Sequence, residues 1–292
     1  VAACVSEKAR NKINQPKKEN EMKLLFACLV LLAFGLTFVE SPQAIMSLAE
    51  PRHDVGSIHS ADASDVSDQI NKTVTLSPGS NVRIAGFNGK ATVESWDSDR
   101  AEINIQVRAS SQEAMERKPV LIEHTGNTLV IRTENDKESG KWGRESGWVR
   151  HEVNVRLPRS SNLKVSGING AVTVGALTGE VGVNGVNGRV KVEQAGTIAE
   201  LSGINGGVSV SMMRFGEGGL KISGINGGVD IGLPAETSAD IDVRGINGGV
   251  DSDLPISILG EVRRGQLTGK LNGGGAPIKV SGVNGGVKLH RN

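Results

Sequence analysis

"VSGING" (Val165–Gly170), "LSGING" (Leu201–Gly206), "ISGING" (Ile222–Gly227) and "VRGING" (Val243–Gly248) are near-identical spellings of one phrase. Looser copies are "AGFNG" (Ala85–Gly89), "NGVNG" (Asn184–Gly188) and "SGVNG" (Ser281–Gly285). With Asn88, Asn169, Asn187, Asn205, Asn226, Asn247 and Asn284 each taken as origin, one rule holds. Positions −6, −4, −1, +3 and +5 are apolar, with Ser252 as the polar exception. Around Asn205 they are Ala199, Leu201, Ile204, Val208 and Val210; around Asn226 they are Leu220, Ile222, Ile225, Val229 and Ile231.

Apolar residues at −6 and −4, and again at +3 and +5, alternate with polar ones, which is the period of a strand with one buried face. Positions −4 and +3 have opposite parity, so a straight strand would point them to opposite faces. The chain must therefore break register between them. Glycine and asparagine, which tolerate positive φ, sit at that break. Each phrase is thus a corner joining two strands whose apolar faces both look inward.

Asn-Gly between alternating runs is also a hairpin signal. The spacing weighs against that. Asparagines recur 18 residues apart from Asn169 to Asn187 and Asn205, then 21 apart to Asn226 and Asn247. A second turn lies midway, as "LTGE" (Leu177–Glu180), "EQAG" (Glu193–Gly196), "FGEGG" (Phe215–Gly219) or "LPAETS" (Leu233–Ser238). Two strands and two turns per period describe one coil of a β-solenoid. A meander of hairpins shares that period, but stacking is what selects near-identical rungs. The expected fold is all-β, a single-stranded β-solenoid (parallel β-helix) with rungs of roughly 18–21 residues. Its stacked asparagines would form an amide ladder.

Composition agrees. The 292 residues include 39 glycines and no tyrosine, and aromatics make up 3%. Small and β-branched side chains must fill the core. The formal charge is +1, and removing residues 1–49 takes away six Lys/Arg and four Asp/Glu, leaving −1. With no basic stripe, a nucleic-acid partner is not expected.

"MKLLFACLVLLAFGLTFVESPQA" from Met22 has the layout of a secretory signal: a positive start at Lys23, an apolar run over Leu24–Val39, then polar and small residues. The run is shorter than the about 20 residues that span a bilayer. Cleavage after Ala44 or Ala49 removes it, and an uncleaved anchor is the alternative. Residues 1–21 read as an untranslated upstream segment, 22–49 as signal peptide and 50–71 as linker. Residues 72–160 read as an irregular N-terminal β region continuous with the regular repeats at 161–292. Cys4 and Cys28 both precede the repeats, which therefore hold no disulfide and no thiol chemistry. No membrane span is expected after cleavage, and Lys288, His290 and Arg291 would protect a final open strand edge from pairing.

The phased GIN corners, "LPAETSADI" (Leu233–Ile241) and "LNGGGAPIKVSGVNGGVKL" (Leu271–Leu289) resemble the bacterial putative-adhesin family of β-solenoid domains, whose head domain is named for the GIN motif. The resemblance covers about Val74 to Leu289. It implies an exported β-helix with an adhesive or cell-envelope role and no established catalytic residues.

Candidate sites are few. "NDKESGKWGRESGWVRH" (Asn135–His151) is a long polar loop carrying Trp142 and Trp148 beside Arg144 and Arg150. These four would stack on sugar rings or bind an acidic glycan; alternatively the tryptophans cap the first rungs. Ser166, Asn184, Ser202, Ser223, Arg244 and Ser281 face outward by parity and form a polar ribbon. Asp230 and Asp251 would be neighbours on adjacent rungs, a weak calcium candidate unless Arg244 or water screens them. No other metal site and no cofactor is expected. Scattered histidines and missing nucleophile or phosphate motifs speak against catalysis. A polysaccharide lyase or hydrolase using Asp230, Asp251, Asp253 and Arg244 is the enzyme alternative. The expected protein is a non-catalytic, exported adhesin-like binding or structural module, periplasmic, at the cell surface or extracellular. Its partner would be a surface polysaccharide or an envelope protein. The second reading is an envelope-stress scaffold that binds another protein.

Overall fold

The computed structural model describes residues 65–134, 147–259 and 265–292. They lie in one of two compact units of the chain, His59–Asn292. Each GIN asparagine falls in the gap between two strands. Asn88 separates β2 (Asn81–Ala85) from β3 (Gly89–Trp96), and Asn169 separates β8 (Asn162–Ile168) from β9 (Val172–Val186). Asn187 follows β9 and precedes β10 (Val190–Ile204), and Asn205 precedes β11 (Val208–Met212). Asn226 joins β12 (Leu220–Ile225) to β13 (Val229–Leu233), and Asn247 joins β14 (Ala239–Ile246) to β15 (Val250–Ser252). Asn284 joins β18 (Ala276–Val283) to β19 (Val287–Arg291).

Strands after the corners pair in parallel as one wall, and strands before the corners pair in parallel as another. On the first wall Ala91, Val172, Val190, Val208, Val229, Val287 and Val250 are successive partners. On the second, Ile84, Val165, Val183, Leu201, Ile222, Val280 and Val243 are. These rows belong to a single core cluster of Val, Ile and Leu. Stacking like on like without a register slip keeps every inward residue inward.

The antiparallel elements lie towards the two ends. At one end β1 (Val66–Thr75), β4 (Arg100–Ala109) and β7 (Val149–Pro158) extend the first wall, with β7 parallel to β3. The hairpin of β5 (Val120–Thr125) and β6 (Thr128–Thr133) extends the second, with β6 parallel to β2. The short helix α1 (Gln112–Glu116) buries Ala114 and is capped by the Ser111 hydroxyl, which accepts from the Ala114 N–H at 3.1 Å. At the other end β17 (Gln266–Leu271) runs antiparallel to β14, and β16 (Ile256–Ile258) antiparallel to β17. The fold is almost entirely β, with largely parallel pairing.

Three expectations need correction. The C-terminal strand is not an edge: β18 pairs with β12 and β14, and β19 with β13 and β15. The last repeat in sequence thus lies between the two that precede it. Side-chain quality explains the order. The C-terminal repeat buries Val287 and Leu289, whereas the Asn247 repeat carries Ser252 and leaves Val250 half-buried, and so suits the end of the core. Second, Ala199 is exposed. β10 shifts register between Ile198 and Glu200, so Ile198 sits opposite Val181 and is buried in its place. Third, the polar segment expected to be linker to residue 71 is paired from Val66 onward. Asp68 and Lys72 occupy β1 positions opposite Val107 and Ile103, so charges stand on the inward row of an edge strand, a device that discourages further pairing.

Candidate functional site

The corners use their two glycines differently. The glycine before the apolar residue takes positive φ: 62° at Gly167, 61° at Gly185, 60° at Gly203, 63° at Gly224, 62° at Gly245 and 62° at Gly282. This left-handed step turns the strand while keeping its apolar face inward. The glycine after the asparagine touches the next repeat. A Cβ on Gly227 would lie 2.5 Å from the Gly206 carbonyl oxygen, and one on Gly248 equally close to that of Gly285. The corner asparagines themselves do not have positive φ; among the described residues only Asn272 does without being glycine. Their amides do other work. Asn169 Nδ2 donates to Asn88 Oδ1 at 2.9 Å, Asn187 to Asn169 at 2.9 Å, Asn205 to Asn187 at 2.9 Å and Asn226 to Asn205 at 2.8 Å. Asn284 then donates to Asn226 at 3.0 Å, and Asn247 to Asn284 at 3.0 Å. All these bonds run in one sense, so each polarises the next. The row ends where Asn88 Nδ2 donates to the Val149 carbonyl at 2.7 Å.

Beside this ladder the outward face of the second wall carries the polar ribbon. Ser166, Asn184, Ser202, Ser223, Ser281 and Arg244 are successive lateral partners, in that order. Two residues further back the outward row reads Arg83, Lys164, Gly182, Glu200, Lys221, Lys279 and Asp242. Gly182 has no side chain, and a notch of about 330 Å³ opens over it, bordered by Arg83, Asn162, Lys164, Asn184 and Glu200. Amide, ammonium and carboxylate groups therefore surround an open hollow large enough for one sugar ring. A glycine at −5, where other copies carry charge, is the sequence signal for it.

The remaining candidates fall out unevenly. Trp142 and Arg144 lie outside the described residues. Trp148 is 40% exposed, and the Arg150 guanidinium carbon lies 5.3 Å from its ring centroid, a cation–π stack at the surface. Asp230 and Asp251 are not lateral neighbours. Lys288 of the inserted repeat is the register partner of both, so a cation from the protein occupies the row between them. Arg244 is on the other wall, where its Nε donates to Asp242 at 2.7 Å. Asp253 accepts from the Arg291 N–H at 3.0 Å. The structure therefore does not bring together the four residues considered for glycan cleavage. Among the described residues no three His, Cys, Asp or Glu side chains form a metal-ligand group.

His151 escaped the sequence reading because no motif marks it. It is 4% exposed and meets Phe87 edge-on, with ring centroids 5.2 Å apart. Its backbone N–H donates to the Asn88 carbonyl at 2.8 Å, directly beneath the first corner, and its ring Nδ1 accepts from the Asn88 N–H at 3.4 Å. Burial holds its pKa below the usual histidine value and Lys118 adds to this, against the opposing backbone hydrogen bond at Asn88.

No family model matches the chain, and no curated protein sequence does. Among solved structures it is similar to a "putative cell adhesion protein" from Clostridium sporogenes, at 14% identity and TM-score 0.41, covering 77% of this chain and 100% of that one. It is also similar to a "putative adhesin" from Bacteroides fragilis, at 12% identity and TM-score 0.31, covering 76% and 97%. A "putative adhesin" from Parabacteroides merdae aligns at 14% identity and TM-score 0.25, covering 77% and 96%.

Proposed function

We propose that this chain is an exported β-solenoid binding module that meets an extended polysaccharide along the outward face of its second wall. The observation that carries the reading is the in-register row Ser166–Asn184–Ser202–Ser223–Ser281 beside the asparagine ladder. Short hydroxyl and amide groups repeat there at one strand spacing, about 4.8 Å, flanked by the charged row of Lys164, Glu200, Lys221 and Lys279 two residues further back. The notch over Gly182 gives one residue of such a polymer a seat with donors and acceptors on both sides. Export rests on the signal-like segment from Met22. The function is binding, with no catalytic step.

The test is glycan-array binding of the protein against Ser202→Arg and Ser223→Arg. These sites face solvent, so melting should stay within about 0.5 kcal/mol of the parent, as surface changes usually do. Loss of glycan binding at unchanged stability supports the reading. Unchanged binding in both variants contradicts it. A Trp148→Ala variant separates the Trp148–Arg150 stack from the ribbon: the ribbon reading expects binding to survive it.

A scaffold that docks another envelope protein is the second reading. Ile258 at the end of β16 and Leu259 just after it, 51% and 50% exposed, favour it. Glycan-independent capture of one envelope protein, lost in Ile258→Asp, would support this reading over the first.

A further inference from the structure

The outward rows on the two walls carry opposite charge. On the second wall, at five and three positions before each corner asparagine, the cations are Arg83, Lys164, Lys221, Arg244 and Lys279. Only Glu200 and Asp242 oppose them in those rows. On the first wall, at four and six positions after the asparagine, the balance is reversed. Lys191 and Lys288 stand against Glu94, Glu193, Asp230, Asp251 and Asp253. The chain as a whole is close to neutral, so stacking has sorted its charges into a cationic face and an acidic one. The cationic face is the one that carries the serine ribbon, and a face of one sign concentrates ligands of the other.

The cations of the second wall are not equally committed. Lys221 Nζ lies 3.3 Å from Glu200 Oε1, and Arg244 Nε lies 2.7 Å from Asp242 Oδ1. Arg83 on β2 and Lys164 on β8 are lateral partners, both exposed, and neither forms an ion pair among the described residues. On the far side of Arg83, across β6, Glu123 is taken by Arg132 Nη2 at 3.2 Å. Like charges directly opposite on neighbouring strands destabilise each other, and a bound anion removes that cost. Arg83 and Lys164 form one border of the notch over Gly182, with Asn184, Glu180 and Glu200 elsewhere on its rim. A sugar ring with one carboxylate suits this mixture. The guanidinium fork takes a carboxylate bidentately, and the amide and carboxylate oxygens on the rim accept from ring hydroxyls. A ring bearing several sulfates would meet Glu180 and Glu200 and be repelled.

We propose that the polysaccharide bound by the second wall is a uronan, with Arg83 and Lys164 taking the carboxylate of one uronic-acid residue whose ring sits over Gly182. This rests on the reading of that wall as a glycan-binding face, and it names the class of glycan. It places recognition in the notch and away from the Trp148–Arg150 stack.

The experiment is calorimetric titration of the full-length protein with polygalacturonate and alginate, with the same two polymers after reduction of their carboxyls to alcohols, and with heparin. The variants are Arg83→Gln, Lys164→Gln, Gly182→Gln and, on the first wall, Lys191→Gln. A Cβ on Gly182 meets nothing nearer than the Glu200 carbonyl oxygen at 3.9 Å, so Gly182→Gln fills the notch without strain. All four positions are on the outward faces, and an unchanged Tm confirms that each variant is folded. The expected result is binding of at least one uronan, weakened about tenfold or more by carboxyl reduction and by each of Arg83→Gln and Lys164→Gln. Gly182→Gln weakens it as well, and Lys191→Gln does not. Equal binding of the reduced polymers overturns the uronan proposal and leaves the glycan reading standing. Tighter binding of heparin also overturns it, in favour of sulfate. Parent-like uronan binding by Arg83→Gln and Lys164→Gln, or by Gly182→Gln, overturns the placement in the notch. Binding of none of the polymers overturns the uronan proposal, and the glycan reading falls with it only if the glycan array is also blank.

Discussion

A single methyl group separates the two kinds of glycine in a corner. Gly227→Ala sets a Cβ against the Gly206 carbonyl, and each corner is held between strands that are paired on both walls, so neither can easily retreat. The expected cost is about 1–3 kcal/mol, as for other overpacked sites. Gly249→Ala, with nothing within 4 Å of its Cβ, is expected to be close to neutral. Urea unfolding of the two variants checks this. Comparable losses, or no loss in either, would contradict the close-approach account. Asn205→Ala removes one amide that both donates and accepts in the ladder. The ladder is solvated, so the loss should be about 1 kcal/mol. The sequence made glycine's part in the corner legible through parity alone. Recurrence in phase also pointed to the amide ladder that the asparagines form; what one copy could not show is that only the glycine, and not the asparagine, takes the positive φ of the corner.

At the scale of elements, the periodic pattern gave the inward face of nearly every strand, since alternation and burial are the same fact in a two-walled stack. It failed where pairing outweighed pattern. β1 is paired although it is polar, because β4 offers a full ladder of backbone groups. Ile198 replaces Ala199 because a bulge in β10 moves the register by one. His151 is the element-scale weak point: it sits on β7, under the first corner, in an environment that disfavours its charged form. Its folded pKa lies below the unfolded value of 6.5. The sign follows: the folded state binds its proton less readily than the unfolded chain. Stability is therefore full above about pH 6.5 and falls as the pH drops through the unfolded pKa towards the lowered folded one. Melting curves from pH 7.5 to 5 should show this fall, reduced in His151→Gln after allowance for the other groups. An equal fall in the variant would assign the acid sensitivity elsewhere.

For the whole molecule, the period of 18 or 21 residues announced stacking but not the order of the stack. Every repeat offers the same apolar face and the same corner, so hydrophobic pattern cannot tell one neighbour from another. The order is decided by details such as Ser252, which belongs at an end, and Leu289, which belongs inside. That order also decides the chemistry outside. It sets Lys288 between Asp230 and Asp251, and it delivers His290 and Asn292 to Ser211. Neither arrangement is visible in a linear reading, which is why the acidic pair looked like a cation site and the histidine looked isolated.

Disulfide trapping on the outward ribbon, in a chain with Cys4 and Cys28 replaced by serine, tests this order most directly. Ser223 and Ser281 are lateral partners on adjacent strands, whereas Ser223 and Arg244 are separated by β18. Adjacent partners fall within the Cα separation a disulfide tolerates, roughly 4.4–6.8 Å, and strands two steps apart do not. Mild oxidation should cross-link Ser223→Cys/Ser281→Cys within one chain and leave Ser223→Cys/Arg244→Cys reduced. The reverse result would mean that the repeats stack in sequence order, and the account of the acidic row would fail with it.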